Sequence, residues 1–77
     1  MTIVELGKKL YEMYESAKRN EAVCQIHLFG IMYGNIIREN GYTLKEILKA
    51  SGLSAGYLAE LSKGVKLAKH VVIKQDQ

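Results

Sequence analysis

Two threonine–glutamate pairs with the same spacing, Thr2/Glu5 and Thr43/Glu46, most constrain the fold of this chain. In each pair the threonine hydroxyl and the glutamate carboxylate can satisfy backbone amides that the first turn of a helix leaves free. After each pair, apolar residues recur at steps of three and four, the spacing of one helix face. The chain contains no proline that would interrupt such segments. The pattern therefore predicts an all-α fold.

The first half of the chain is predicted to form two long helices. The first spans about residues 3–18, and the second, capped by Asn20, spans about residues 21–39. The second helix is apolar over much of its circumference, which is typical of a helix that is buried at the centre of a domain or that serves two interfaces. A left-handed residue at Asn40-Gly41 ends it.

Within the second helix, Gly30 and Gly34 lie one turn apart. Two glycines on one face allow another backbone to come close, although each weakens the helix by up to about 1 kcal/mol relative to alanine. We expect this face to cross the first or the third helix.

The second half is predicted to hold two short helices and a tail. Thr43 begins a third helix that closes at Gly52, and Ser54 caps a fourth helix that ends at Gly64. The tail, residues 65–77, is either a short strand or an extended arm. A lone strand has no pairing partner inside a helical domain, so a strand here would pair with a second copy or with another domain.

Composition limits the classes of protein to consider. The chain has 77 residues, enough for one domain over residues 1–77, and 48% of them are hydrophobic, which argues against disorder. Cys24 is the single cysteine, so an internal disulfide framework is excluded. No stretch resembles a signal peptide or a membrane span, and we expect a cytoplasmic location.

Positive charge is concentrated in the second half of the chain. Residues 1–42 carry five cationic and five acidic side chains, whereas residues 43–77 carry six lysines and three acids, so the second half holds the entire net charge of +3. A surface that faces phosphates needs such an excess. An ordinary solvated surface would explain it equally well.

The segment Ala50-Ser-Gly-Leu-Ser-Ala-Gly-Tyr-Leu-Ala-Glu-Leu-Ser-Lys-Gly64 resembles the helix-turn-helix of phage-repressor-type bacterial regulators. The shared features are a small residue, Gly-aliphatic-Ser at the turn, a Tyr-aliphatic pair and a closing glycine. The upstream helices, with Ile26-His-Leu-Phe-Gly-Ile-Met-Tyr33, resemble instead a small bacterial HTH-like domain. Leu48 stands where the repressor family has alanine, so the two helices cross at a wider angle or Leu48 points elsewhere.

The resemblance implies a helix-turn-helix over residues 43–64, supported by the first two helices and binding double-stranded DNA. Residues that contact bases would lie at the start and on the outer face of the fourth helix, which has no Arg, Asn or Gln for bidentate base contacts. We therefore expect mainly phosphate contacts and weak sequence specificity, with no catalysis and no cofactor or metal. The predicted DNA-binding residues are Thr43, Lys45, Lys49, Ser54, Ala55, Gly56, Tyr57, Glu60, Lys63, Lys66 and Lys69.

A second interpretation assigns the same residues to protein contacts. Ala55, Gly56 and Ala59 form a small-residue face on which a partner helix could pack, and the lysines would then be a solvated rim. On that hypothesis the chain is a helical protein-interaction or dimerisation domain without nucleic-acid binding. A homodimer through the tail or the second helix is compatible with both interpretations.

Two other groups of residues are expected to have structural roles. Cys24 and His27 share a helix face but lack further metal ligands, so we expect a packed cysteine and a hydrogen-bonded histidine at the edge of the core. The tyrosines are expected to pack at the core surface, and Tyr42 and Tyr57 are the ones placed to reach phosphates.

Overall fold

The computed structural model describes residues 1–74, and helices make up most of this part of the chain. The all-α prediction is confirmed, and residues 1–74 contain no strand. The four α-helices are α1 (Ile3–Glu15), α2 (Ala22–Asn40), α3 (Leu44–Ser51) and α4 (Leu58–Leu67). A single 3₁₀ turn, Ala55–Tyr57, runs directly into α4.

Both predicted capping boxes are present. The Thr2 hydroxyl accepts a hydrogen bond from the Glu5 amide at 3.1 Å, and the Glu5 carboxylate accepts one from the Thr2 amide at 2.8 Å. The corresponding distances for Thr43 and Glu46 are 3.2 and 3.0 Å. These reciprocal bonds fix where α1 and α3 begin.

The connection between α1 and α2 differs from the prediction. α1 ends at Glu15 rather than near residue 18, and Asn20 is not the cap of α2. Asn20 instead adopts a left-handed backbone with φ of 67°, which asparagine tolerates better than most residues. Glu21 occupies the cap position without a side-chain hydrogen bond, so the side chain before α2 does not fix its start.

One hydrophobic core joins the four helices. α1 packs mainly against α3, and α2 packs mainly against α4. Each helix contributes side chains that are fully shielded from solvent. Seven of the largest are Leu6, Leu10, Ile26, Phe29, Ile37, Ile47 and Leu61. α2 contacts both α4 and α1, while Val23 and Met32 on its remaining surface stay exposed, so its apolar circumference serves two interfaces.

α2 and α4 touch backbone to backbone at three glycines. A Cβ atom added at Gly30 would lie 2.6 Å from the carbonyl carbon of Gly64, and one added at Gly64 would lie 2.5 Å from the His27 carbonyl oxygen. A Cβ at Gly34 would lie 2.8 Å from the Cβ of Ala68. The close crossing of the Gly30/Gly34 face is real, but its partner is α4, not the predicted first or third helix.

Gly64 is also not the end of the fourth helix. α4 continues to Leu67, so residues 65–67 are helical rather than part of the tail. The sequence pattern misleads here because glycine commonly ends helices, whereas this glycine sits in mid-helix where a side chain would collide with α2. Residues 68–70 form turns, and residues 71–74 have no regular secondary structure, so the described part of the tail is an arm and not a strand. Residues 75–77 of the predicted tail lie outside the described residues.

We expect Gly64→Ala to lower the free energy of unfolding by about 1–3 kcal/mol, because overpacking against the α2 backbone outweighs the gain in helix propensity. Urea denaturation followed by circular dichroism measures this change. Gly56→Ala is the matched control, since its new Cβ would meet only the Ser54 hydroxyl oxygen, at 3.4 Å. Equal stability of the two variants would contradict a rigid contact between α2 and α4.

Candidate nucleic-acid interface

A short turn connects α3 to the 3₁₀ turn, and its own side chains hold its shape. Gly52 ends α3 with a left-handed backbone, φ of 78°, and donates its amide to the Lys49 carbonyl at 3.1 Å. Buried Ser51 donates its hydroxyl to the Leu48 carbonyl and accepts the Leu53 amide at 3.1 Å. The Ser54 hydroxyl accepts the Gly56 amide at 3.1 Å. The predicted glycine bend is confirmed, whereas Ser54 caps the 3₁₀ turn and not α4 itself, whose cap residue Tyr57 makes no side-chain cap hydrogen bond. Ser51, the first residue of the predicted turn, contributes two hydrogen bonds to it.

Residues 43–67 form a helix-turn-helix unit, and apolar side chains pack both of its helices against the core. Ile47 and Leu61 are fully buried, and Leu53 and Leu58 are half-buried. Leu48, at the position where phage-repressor-type regulators have alanine, is also buried and belongs to the core. Beside it an open groove of about 520 Å³ separates α3 from the start of the next helix. Leu48 thus packs into the core and also lines one wall of this groove.

The solvent face of α4 changes character along its length. Exposed residues continue from the 3₁₀ turn to the turn after α4 at steps of three and four, the spacing of one helix side. At the start of this row the side chains are small, and further along they are basic. The residues of the row are Gly56, Ala59, Lys63, Lys66 and His70.

Two further lysines lie on α3. Lys45 and Lys49 are exposed and one helical turn apart, so they point to the same side. Within residues 1–74, neither takes part in an ion pair. Lys69, after α4, is exposed as well. All five predicted phosphate-contacting lysines are therefore accessible to a polyanion.

Four other predicted site residues use their polar atoms inside the domain. The Thr43 hydroxyl bonds the Glu46 amide and carboxylate in the capping box. The Ser54 hydroxyl, although exposed, holds the Gly56 amide. The half-buried Tyr57 hydroxyl lies 3.1 Å from the hydroxyl of Tyr14. Glu60, the fourth of them, is turned away from the outer face and faces α2.

The remaining predicted site residues have no polar side-chain group, so only their exposure matters for a contact with DNA. Ala55 and Gly56 are exposed in the 3₁₀ turn, where backbone rather than side chain dominates the surface. Tyr42, considered for phosphate contact, donates its hydroxyl to the Met1 carbonyl at 2.8 Å. This hydrogen bond joins the connection between α2 and α3 to the residues before α1, so the Tyr42 hydroxyl has a structural role.

The Glu60 carboxylate connects α4 to α2. Its Oε1 accepts a hydrogen bond from His27 Nε2 at 2.7 Å, and its Oε2 lies 3.3 Å from Lys63 Nζ. The hydrogen bond from His27, with a smaller effect of Lys63, holds the pKa of Glu60 below its ordinary value. The prediction of a hydrogen-bonded His27 at the core edge is confirmed, whereas the predicted packing of Cys24 is wrong because Cys24 is exposed. Sequence reasoning missed the pairing since the two residues lie on different helices.

The described geometry is that of two scaffold helices carrying a helix-turn-helix-like unit. A family model described as an HTH-like domain matches residues 2–74. The chain belongs to this HTH-like domain family. The match includes α1 and α2, so these helices are part of the family's domain and not an addition to it. No curated protein and no solved structure is significantly similar to the chain. Among the described residues, no helix is both long and apolar enough to cross a membrane.

The lowered pKa of Glu60 predicts a pH dependence of stability. A carboxyl whose pKa falls on folding stabilises the fold above its unfolded value, here 4.5, and this contribution is lost as the pH drops through the folded value. We expect Glu60→Gln to be less stable than the wild type near neutral pH, with the difference shrinking as the pH falls below 4.5. Thermal unfolding from neutral pH down to about pH 2.5 measures the difference.

Glu39→Gln provides the control, because the exposed Glu39 carboxylate makes no hydrogen bond within residues 1–74. That variant removes no hydrogen bond from this part of the chain and should stay close to the wild type in stability near neutral pH. A stability loss in Glu60→Gln that does not shrink as the pH falls would argue against the hydrogen bond between Glu60 and His27.

Proposed function

We propose that this HTH-like domain binds double-stranded DNA, mainly through the phosphate backbone and with weak intrinsic sequence specificity. The observation that carries the proposal is the set of accessible lysines around the helix-turn-helix unit: Lys45, Lys49, Lys63, Lys66 and Lys69. Each lysine that neutralises a phosphate releases condensed counterions, which is the main source of affinity in sequence-tolerant binding. The proposed role is non-enzymatic.

The small residues at the start of the exposed α4 row support weak specificity. Ala55, Gly56 and Ala59 offer no bidentate partner for a base edge, but they let the backbone approach the DNA closely. The Ser54 hydroxyl accepts the Gly56 amide and keeps its own proton, which it can donate to a phosphate. The positive end of the helical segment adds to the attraction.

Tyr57 and Glu60 are left out of the proposed interface. The Tyr57 hydroxyl is engaged with Tyr14, and the Glu60 carboxylate is engaged with His27 and Lys63. A carboxylate beside phosphates would repel them, and the nearby positive charge of Lys63 reduces that repulsion.

A homodimer is the means we propose for greater specificity. Met32 on α2 and Val71 and Val72 in the tail are large apolar side chains that remain exposed, and they lie in the two regions from which a dimer contact is predicted. Two copies would double the number of phosphate contacts and fix the spacing of two half-sites. Light scattering over a range of protein concentrations tests this part of the proposal.

The biological setting follows from the resemblance to phage-repressor-type regulators. We propose a regulatory or DNA-defence protein of bacterial or phage origin that works in the cytoplasm, where its DNA is found. The family match supports the HTH-like part of this proposal.

The test is fluorescence anisotropy of a labelled mixed-sequence duplex at about 50 and about 200 mM salt. We expect affinity to fall steeply with salt, and the double variant Lys45→Gln/Lys49→Gln to reduce the slope of log K against log salt by roughly 2, about 0.9 for each lost phosphate contact. No binding at low salt would overturn the proposal.

The charge-matched control is Lys18→Gln/Arg19→Gln, in the exposed connection between α1 and α2. This variant removes the same charge outside the helix-turn-helix unit and should leave the slope nearly unchanged. An equal loss in both double variants would indicate attraction by net charge alone, without a defined interface.

A further inference from the structure

The groove between α3 and the start of the next helix has an apolar floor whose leucines the proposed DNA interface leaves unused. Leu48, Leu53, Leu58 and Ala55 line it, and its volume of about 520 Å³ is that of a small ligand pocket. Leu48 is buried, whereas Leu53 and Leu58 are only half-buried, so part of each leucine side chain still faces water.

DNA does not fill a groove of this kind. Its backbone is charged and hydrated, and the thymine methyl is the main apolar group at the base edges of the major groove. A ligand that gains from this floor must instead insert a large apolar side chain. Burial of apolar surface on both sides would then drive binding.

The rim of the groove determines the charge of the occupant. Lys45 and Lys49 border it one helical turn apart, and neither forms an ion pair within residues 1–74. Glu46, the acid that lies between them in sequence, is bound to Thr43 in the capping box. The rim is therefore positive, and the complementary ligand places carboxylates on both sides of an apolar side chain.

We propose that this groove binds an acidic amphipathic segment of a partner protein, with a Leu or Phe side chain on the apolar floor and carboxylates on Lys45 and Lys49. Because these lysines also belong to the proposed DNA interface, the segment and DNA compete for the domain. Binding of the segment goes beyond the proposed function, and only the competition depends on it.

The probe is a fluorescein-labelled helical peptide of about 14 residues, with Leu and Phe on one face and Glu elsewhere. A peptide of the same composition, scrambled so that the apolar residues no longer share a face, is its control. Anisotropy titration of the full chain should show binding of the amphipathic peptide at least roughly tenfold tighter than binding of the scrambled one.

Ala55→Leu fills the groove without removing a charge, and Ala59→Leu adds the same side chain on the outward face of α4. We expect Ala55→Leu to weaken peptide binding by roughly tenfold or more and Ala59→Leu to leave it nearly unchanged. Circular dichroism confirms that both variants are folded. The duplex assay then tests competition on the wild type: the amphipathic peptide should displace DNA, whereas the scrambled peptide should not.

Four results would overturn the inference. Equal affinity for the amphipathic and scrambled peptides would show electrostatic attraction without use of the groove. Unchanged binding by Ala55→Leu, or no peptide binding at all, would exclude the groove as the site. Methyl resonances of the groove leucines that shift with protein concentration alone would show that a second copy of the chain occupies it. If DNA binding is absent but the groove results hold, the inference stands and the proposed function fails.

Discussion

The direct backbone contact between α2 and α4 is the constraint on which the rest of this domain depends. Gly30 and Gly64 meet where neither helix has room for a Cβ atom, so the two helices approach to the shortest distance that their backbones allow. Once α4 is fixed against α2, its buried face is set, and the row of exposed residues on the opposite side is set with it. Lys63 and Lys66 therefore face solvent because Gly64 holds the opposite face of α4 against α2.

The turn after α3 is fixed by short-range contacts in a similar way. Gly52 and Ser51 fix the direction in which the chain leaves α3, and Leu48 packs into the core behind the turn. Leu48, Lys45 and Lys49 all line the groove beside the start of the following helix, so α3 supplies both part of its apolar floor and its two lysines.

Local signals in the sequence predicted most of the fold. Thr2/Glu5 and Thr43/Glu46 mark helix starts because their bonds join residues three apart, and Gly52 marks a turn because its backbone is left-handed. Features that depend on distant residues were missed: Gly64 looks like a helix end until the α2 backbone is placed beside it. Glu60 looks like an outward residue until His27, from another helix, is placed within 2.7 Å. Exposure of the site lysines follows from their charge, but which of them lie together requires the packed structure.

Some charged side chains of this domain pair with each other across or along its helices, and others remain available to a ligand. Glu60 faces two basic side chains, His27 and Lys63, and holds α4 to α2, while Lys45 and Lys49 remain without an ion pair within residues 1–74. An exposed ion pair contributes little to stability, so leaving the two α3 lysines unpaired has little effect on the fold and keeps their charge available to a ligand. Since the floor between them is apolar, the same pair can serve a phosphate backbone or a carboxylate-bearing segment, and which of the two binds depends on whether the ligand also carries an apolar side chain.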